Sequence, residues 1–290
     1  MMENVMELRD VNLSLGDFQL KDFSLDVRKG FVTGFIGGNG VGKSTTIKLM
    51  MNLLQPDSGS IRLFGLNYKE HEKEIKQRIG FVYDENIFYE NLTLKEMKEI
   101  AKGAYDRWDD DVFHTYVKAF NLPLNKQMKT FSKGMKMKAS LAVALSHDAE
   151  LIIMDEPTSG LDPIFRRELL GILHELLQDG EKTIFFSTHI TTDLDSIADY
   201  ITLIHDGQHV FTKDLEEIRD EFAIVKGDKE VIDRDTEKEF ISLEVSRYGF
   251  QALTANKQRV QNIFGDYVML EEPTLEEIMF YHQKGVGSHV

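Results

Sequence analysis

Eight consecutive residues, Gly37-Gly38-Asn39-Gly40-Val41-Gly42-Lys43-Ser44, fit the pattern G-x-x-x-x-G-K-S/T. Glycines at this spacing let successive backbone N–H groups curl around phosphate oxygens, and a helix starting behind them adds its positive end. Lys43 would then reach the β and γ phosphates of a nucleotide, and Ser44 would ligate Mg²⁺. A second cluster, Asp155-Glu156, closes the apolar run Leu151-Ile152-Ile153-Met154. At the C-terminal end of a buried strand, Asp155 is placed to hold Mg²⁺ through its water shell. Glu156 is the candidate general base that polarises an attacking water. Alone, two acids after a strand are as easily a solvated strand end; beside the Lys43 loop they read as parts of one site. His189, in Ser187-Thr188-His189, follows a further apolar run on the edge where ligands collect in open α/β sheets, and is expected to contact the γ-phosphate.

These groups need a scaffold of alternating strands and helices. The first thirty residues alternate apolar and polar in the strand manner, as in Phe23-Ser24-Leu25-Asp26-Val27. Buried strands are expected over residues 31–36, 150–155, 182–187 and 200–204, with helices over 44–54 and 165–178. Such alternation implies an α/β fold whose parallel sheet is covered on both faces. Helical spacing over residues 94–105 and 110–120 marks a helical insert at about 84–133. After about Thr212 a small α+β extension follows, with helices over 214–221 and 274–282 and strands over 222–225 and 240–245. The division expected is therefore 1–212 and 213–290, without internal repeats or low-complexity tracts.

The bulk composition narrows the function. Lys and Arg total 34 against 49 for Asp and Glu, a formal net charge of -15. That surplus argues against a broad nucleic-acid contact, and no nucleic-acid partner is expected. With no cysteine, disulfides, thiolate chemistry and Cys-based metal sites are excluded. The Met1-Met2-Glu3-Asn4 start lacks the basic and apolar regions of a secretory signal. No apolar run approaches the ~20 residues that cross a bilayer. Work at a membrane would need a partner to hold the chain there.

Gly37 through Thr45, Leu151 through Glu156, Ser159-Gly160-Leu161-Asp162 and His189 stand in the order and spacing of ATP-binding-cassette (ABC) nucleotide-binding domains, which the chain resembles over roughly residues 5–212. The resemblance implies a P-loop NTPase fold: a RecA-like core, an N-terminal antiparallel β subdomain and a helical insert. It implies ATP and Mg²⁺ as cofactors, with Gly37, Asn39, Gly40, Gly42, Lys43, Ser44 and Thr45 around the nucleotide. Asp162 would belong to the D-loop that crosses a dimer interface. Phe131-Ser132-Lys133-Gly134-Met135 resembles the family's signature, so Ser132 and Gly134 would bind the γ-phosphate of ATP held by another copy; on its own Ser132 reads as an ordinary helix N-cap. Three departures from the pattern are visible. Lys133 and Met135 replace a glycine and a glutamine of the signature. Asp84 stands at the Q-loop glutamine, where a carboxylate can order water or Mg²⁺ but cannot donate as an amide does. The adenine-stacking tyrosine aligns near Leu15, leaving Phe18 as the candidate to stack on the base.

The resemblance leaves three functional classes: a transporter ATPase, a soluble cassette acting on ribosomes or DNA, and an inactive regulatory cassette. A single cassette argues against the translation type, and the short span from Lys43 to Asp155 against the DNA-repair type. The presence of Lys43, Ser44, Asp155, Glu156 and His189 weakens the inactive reading. The chain most resembles the bacterial export branch, and within it the ATPases exporting amphipathic cytolytic peptides of the phenol-soluble modulin kind. As such it would dimerise, as a homo- or heterodimer, and drive an integral membrane permease subunit from the cytoplasmic face of the membrane. Residues 84–105 would convey the motion. The extension after Thr212 reads equally as a dimerising or regulatory element and as a passive cap on the sheet edge.

Overall fold

A computed structural model describes residues 3–82, 89–178 and 180–285. Among the described residues the strands form three sheets. The first is antiparallel, in the order β2-β1-β4-β5, from β1 (Asn4–Leu15), β2 (Phe18–Arg28), β4 (Ser58–Leu63) and β5 (Leu66–Asn67). Its apolar alternation turns Met6, Leu8, Leu20, Phe23, Leu25 and Val27 inward, all nearly or fully buried. The β4 strand pairs with β1, Met6 opposite Leu63 and Leu8 opposite Ile61.

The second sheet runs β10-β9-β3-β8-β7-β6. It comprises β3 (Val32–Ile36), β6 (Ile79–Val82), β7 (Leu151–Asp155), β8 (Thr183–Thr188), β9 (Tyr200–His205) and β10 (Gln208–Asp214). The β3, β7 and β8 strands are buried at every residue, as central strands of a parallel sheet covered on both faces must be. Neighbours β9-β3-β8-β7-β6 are parallel, and β10 returns antiparallel on β9. The phosphate-loop strand β3 therefore lies between β8 and β9, with the Asp155 strand β7 one place further. All their C-terminal ends meet on one edge.

Helix α1 (Lys43–Met50) follows β3. It stops short of the expected Leu54 because Asn52 turns to φ 56, while the N–H groups of Leu53 and Leu54 fold back on the Lys48 carbonyl. Helix α2 (Tyr68–Gln77) precedes β6; the insert contributes α3 (Leu94–Ala104) and α4 (Asp110–Ala119). Then α5 (Lys133–Leu145) and α6 (Pro163–Leu176) flank β7. A capping box fixes the start of α3, where Thr93 Oγ1 accepts from Glu96 N and Glu96 accepts from the Thr93 N–H.

The C-terminal region holds α7 (Leu215–Glu221), β11 (Ala223–Gly227), β12 (Ser242–Ser246), β13 (Gly249–Thr254), α8 (Lys257–Phe264), β14 (Val268–Glu271) and α9 (Leu275–Lys284). Its antiparallel sheet runs β12-β13-β11-β14. A division after Thr212 would fall inside β10, whose pairing with β9 continues to Asp214 opposite Tyr200. On one face of this sheet, Val225, Phe250 and Ala252 pack with Val260 and Phe264 of α8. On the other, Ile224 and Leu253 join Leu275, Ile278 and Tyr281 of α9 in the core shared with Ile201 and Leu203. The extension is thus built onto the nucleotide-loop sheet through α9.

Candidate functional site

The loop after β3 is held from both sides. A Cβ on Gly37 would fall 2.5 Å from the Ile204 carbonyl oxygen of β9 and 2.8 Å from Val41 Cγ2, so the first glycine lets the loop lie flat on the neighbouring strand. Gly42, the N-cap of α1, has φ 111, a left-handed geometry that suits glycine. A Cβ there would also meet the Phe18 ring at 2.5 Å. The α1 helix starts from this turn: Thr46 N and Thr46 Oγ1 both donate to the Gly42 carbonyl, at 2.8 and 2.9 Å. Its unpaired N–H groups therefore face the loop's mouth.

Lys43 is nearly buried, and its ammonium donates to the Gly37 and Gly38 carbonyls at 2.9 and 3.2 Å. It also pairs with Glu156 Oε1 at 3.3 Å. The other carboxylate oxygen of Glu156 accepts from the His189 N–H at 3.2 Å and lies 2.7 Å from His189 Nδ1. Glu156 itself sits at φ 48 directly after β7, with its N–H bonded to the Ser187 carbonyl of β8. A non-glycine residue in that region is strained, and such strain is concentrated where surroundings fix a side chain for a task. The sheet order brings Lys43, Glu156 and His189, from after three adjacent strands, into one chain of contacts.

Asp155 is 3% exposed, and Ser187 lies opposite it in the β7–β8 register. Burial pushes the Asp155 carboxyl above its ordinary value, while the hydroxyls of Ser44 and Ser187 act in the opposite direction. Among the described residues neither Asp155 Oδ1 nor Ser187 Oγ makes a hydrogen bond of regular geometry, although the Ser44 and Ser187 hydroxyls lie close enough to Asp155 to act on its charge. A buried carboxylate oxygen without a regular donor beside a serine hydroxyl is what a divalent cation would satisfy. Ser44 and Asp155 therefore fit a Mg²⁺ site. The third metal-site expectation, Asp84, lies outside the described residues.

These groups open onto a cleft of about 500 Å³ lined by Asn39, Gly40, Gly42, Lys43, Ser44 and Thr45, and by Glu156, Ser159 and His189 on the far wall. Leu15 and Phe18 close one end. Leu15 is 41% exposed, and Phe18 packs its ring edge over Gly42, so the first hairpin offers an apolar and aromatic platform beside the phosphate loop. That hairpin is also tied to the loop through backbone: Gly207, in the β9–β10 turn, donates its N–H to the Val41 carbonyl at 3.1 Å and accepts from Lys21 N at 3.0 Å. Gly207 has φ 69, and any Cβ there would collide with the Gln19 carbonyl oxygen.

Three expected site residues stand apart from this cleft. Ser132 caps α5, its hydroxyl accepting from Met135 N at 3.2 Å. Gly134 packs against α6, where a Cβ would meet Phe165 Cδ1 at 2.9 Å. Asp162 caps α6, accepting from Ile164 N and Phe165 N at 3.1 and 3.0 Å. In this chain all three have structural partners of their own. The Lys133 side chain extends over Gly160, where a Cβ would be 3.5 Å from Lys133 Nζ. Sequence reasoning did not anticipate the Gly207 bridge or the contact of Gln283 with the phosphate loop described below. No local pattern marks either residue, because both act through chain segments distant in sequence.

Comparison with known proteins agrees with this geometry. The sequence model of the family described as ABC transporter matches residues 20–159. A bacitracin transport ATP-binding protein, BcrA of Bacillus licheniformis, is 36% identical over 210 residues, covering 71% of this chain and 69% of that protein. The ABC transporter ATP-binding protein NatA of Bacillus subtilis (strain 168) is 33% identical, over 69% of this chain and 83% of its own length. Among solved structures, an ATP-binding subunit of an ABC transporter superposes with TM-score 0.68 at 29% identity, over 74% of this chain and 92% of that one. An ATP-binding-cassette dimer with ADP and Pi shares the fold, with TM-score 0.64 at 22% identity over 72% of this chain and 98% of that one.

Proposed function

The chain belongs to the ABC transporter family, as one of its ATP-hydrolysing subunits, and from that premise we propose that it is the motor of an exporter. In this reading two such subunits, identical or related, close around two Mg-ATP and drive a separate integral membrane permease. The observation that carries it is the contact chain Lys43–Glu156–His189 beside the buried Asp155 oxygen, which makes no regular hydrogen bond among the described residues.

The steps follow from the residues. The phosphates of ATP enter against the N–H groups of the loop and α1, and Lys43 exchanges the Gly37 and Gly38 carbonyls for phosphate oxygens. Mg²⁺, held by Ser44 and Asp155, would neutralise charge on the β and γ oxygens. Glu156, fixed from its other oxygen by His189, accepts the proton of a water that bonds to the γ-phosphorus as the bond to the β,γ-bridging oxygen breaks, leaving ADP and inorganic phosphate. The Phe18 ring, which lines the cleft, stacks on adenine in this reading. Ser132, Gly134 and Asp162, which lie away from this chain's own cleft, serve the ATP of the second subunit in this reading.

The permease contact is assigned to the insert, where Tyr89 and Ile100 are exposed at 67% and 49%. Among the described residues no helix is long and apolar enough to cross a membrane, and the proposed place is the cytoplasmic face, held there by the permease. For cargo, the likeness to bacitracin transport proteins favours an antibiotic or amphipathic peptide, a class that includes phenol-soluble modulins. The test is light scattering of Glu156→Gln with Mg-ATP. A dimer that forms with ATP and dissociates with ADP supports the motor; a chain that binds ATP yet stays monomeric, alone and with membrane extract, moves the regulatory reading ahead.

A further inference from the structure

We propose that Gln283, in the last turn of α9, is a positioning residue for the phosphate loop, so that the C-terminal extension sets how tightly the chain holds ATP. This rests on the reading of the Gly37 to Ser44 loop as the ATP site. The helix that carries Gln283 is fixed at both ends. A capping box between Thr274 and Glu277 starts it. Leu275, Ile278 and Tyr281 then bury one face in the cluster that holds Leu194, Ile201 and Leu203 of the core. Near its end, the His282 ring packs on Phe211 and Phe222, centroids 6.1 and 6.3 Å away, with Nδ1 2.8 Å from the Ile278 carbonyl. Lys284 pairs with Glu244 of β12 in the extension sheet.

Between these two anchors the Gln283 amide reaches Gly38. A Cβ on Gly38 would collide with Gln283 Nε2 and lie 3.2 Å from its Cδ. Gly40 and Gly42 have φ 78 and 111, values that favour glycine by backbone conformation. Gly38 is outside that region, and the first atoms a side chain there would meet are the amide end of the exposed Gln283 side chain. The contact falls on the residue whose carbonyl, with that of Gly37, holds the Lys43 ammonium. Lys43 must leave those carbonyls when a phosphate arrives, so an amide seated on Gly38 keeps the loop backbone in its cradle shape while the ammonium moves. The same seat carries loop movement into α9, and through Lys284 and Glu244 into the extension sheet.

The experiment is ATP affinity by titration calorimetry on the full chain: wild type, Gln283→Ala, Gly38→Ala and the double variant. Gln283→Ala is expected to weaken ATP about three- to ten-fold, toward the lower end of the couplings between contacting residues. Turnover at saturating ATP should remain within about two-fold, because the lost contact acts on ground-state binding. Gly38→Ala pushes the flexible Gln283 amide aside, so it is expected to weaken ATP no more than Gln283→Ala does and to add nothing beyond about two-fold in the Gln283→Ala background. Gln283→Met, which keeps the length of the side chain, should retain near-wild-type affinity and separates packing on the loop from simple damage to α9. Additive single effects, or Gln283→Ala with unchanged affinity, overturn the proposal; if Gly38→Ala fails to fold, the Ala and Met variants of Gln283 decide it alone. A wild-type chain whose ATP binding is insensitive to Lys43→Ala would instead overturn the site on which the proposal rests.

Discussion

Glu156→Gln separates catalysis from binding at this site. Glutamine keeps the volume and one carbonyl acceptor for the His189 N–H, at 3.2 Å in the native contact, but it cannot take a proton from water. General-base removal typically costs about 10²- to 10⁴-fold in rate, or about 3–5 kcal/mol of barrier. Binding should move the other way. The attraction between Lys43 and Glu156 at 3.3 Å is about 5 kcal/mol in an effective dielectric of about 20, most of it offset by desolvating two nearly buried charges. If about 1 kcal/mol survives, removing the carboxylate frees Lys43 for phosphate and tightens ATP about five-fold. The assay pairs turnover under saturating Mg-ATP with calorimetric affinity for the same protein. A parallel fall in turnover and affinity would refute the reasoning, because it would make Glu156 chiefly a brace for Lys43 and for its own strained backbone at φ 48.

Phe18→Ala should weaken ATP by about 1–3 kcal/mol, the usual worth of an aromatic platform under a base, with less effect on inorganic triphosphate; competition binding of the two ligands reads the difference. The Arg78–Glu150 pair at the opposite end of β6 and β7, with contacts of 2.7 and 2.8 Å, gives a pH dependence. Arg78 holds the Glu150 carboxyl below its ordinary value, so its contribution is present above the unfolded carboxylate range and is lost as pH falls through the lowered native value. Glu150→Gln is expected to cost about 1 kcal/mol after solvent screening at neutral pH and almost nothing in acid, measured by urea unfolding across pH.

The residues that meet in the candidate site were legible in the sequence because their patterns are local. Asp155, Glu156 and His189 stand at or directly after the end of a buried strand, and Lys43 and Ser44 close a glycine pattern that begins directly after another. The strands themselves were plain for a related reason: β3, β7 and β8 are mostly apolar and buried at every residue. The stretch from Ser58 to Gln77 was not legible. Its strand β4 is mostly exposed and its helix α2 buries only Ile75, so neither period stands out. The expected end of α1 ran too far because Leu53 and Leu54 continue an apolar pattern that the turn at Asn52 breaks. Ser132 illustrates a different limit. Its capping bond to Met135 N uses the same hydroxyl that a signature role would use, so residue type alone does not separate the two.

The backbone relay Lys21–Gly207–Val41 has a consequence for recognition. It joins the base platform to the phosphate cradle before any ligand arrives, through a turn that admits no side chain at Gly207. The two halves of a nucleotide are thus received by a gauge of fixed span, and engaging one end raises the effective concentration of the other. Chelation of this kind rewards a ligand carrying both parts at the right separation far beyond the sum of adenosine and triphosphate bound apart. A loosened Gly207 turn would leave each part bound about as before while erasing that advantage, so that the chain would lose discrimination for length before it lost its hold on phosphate.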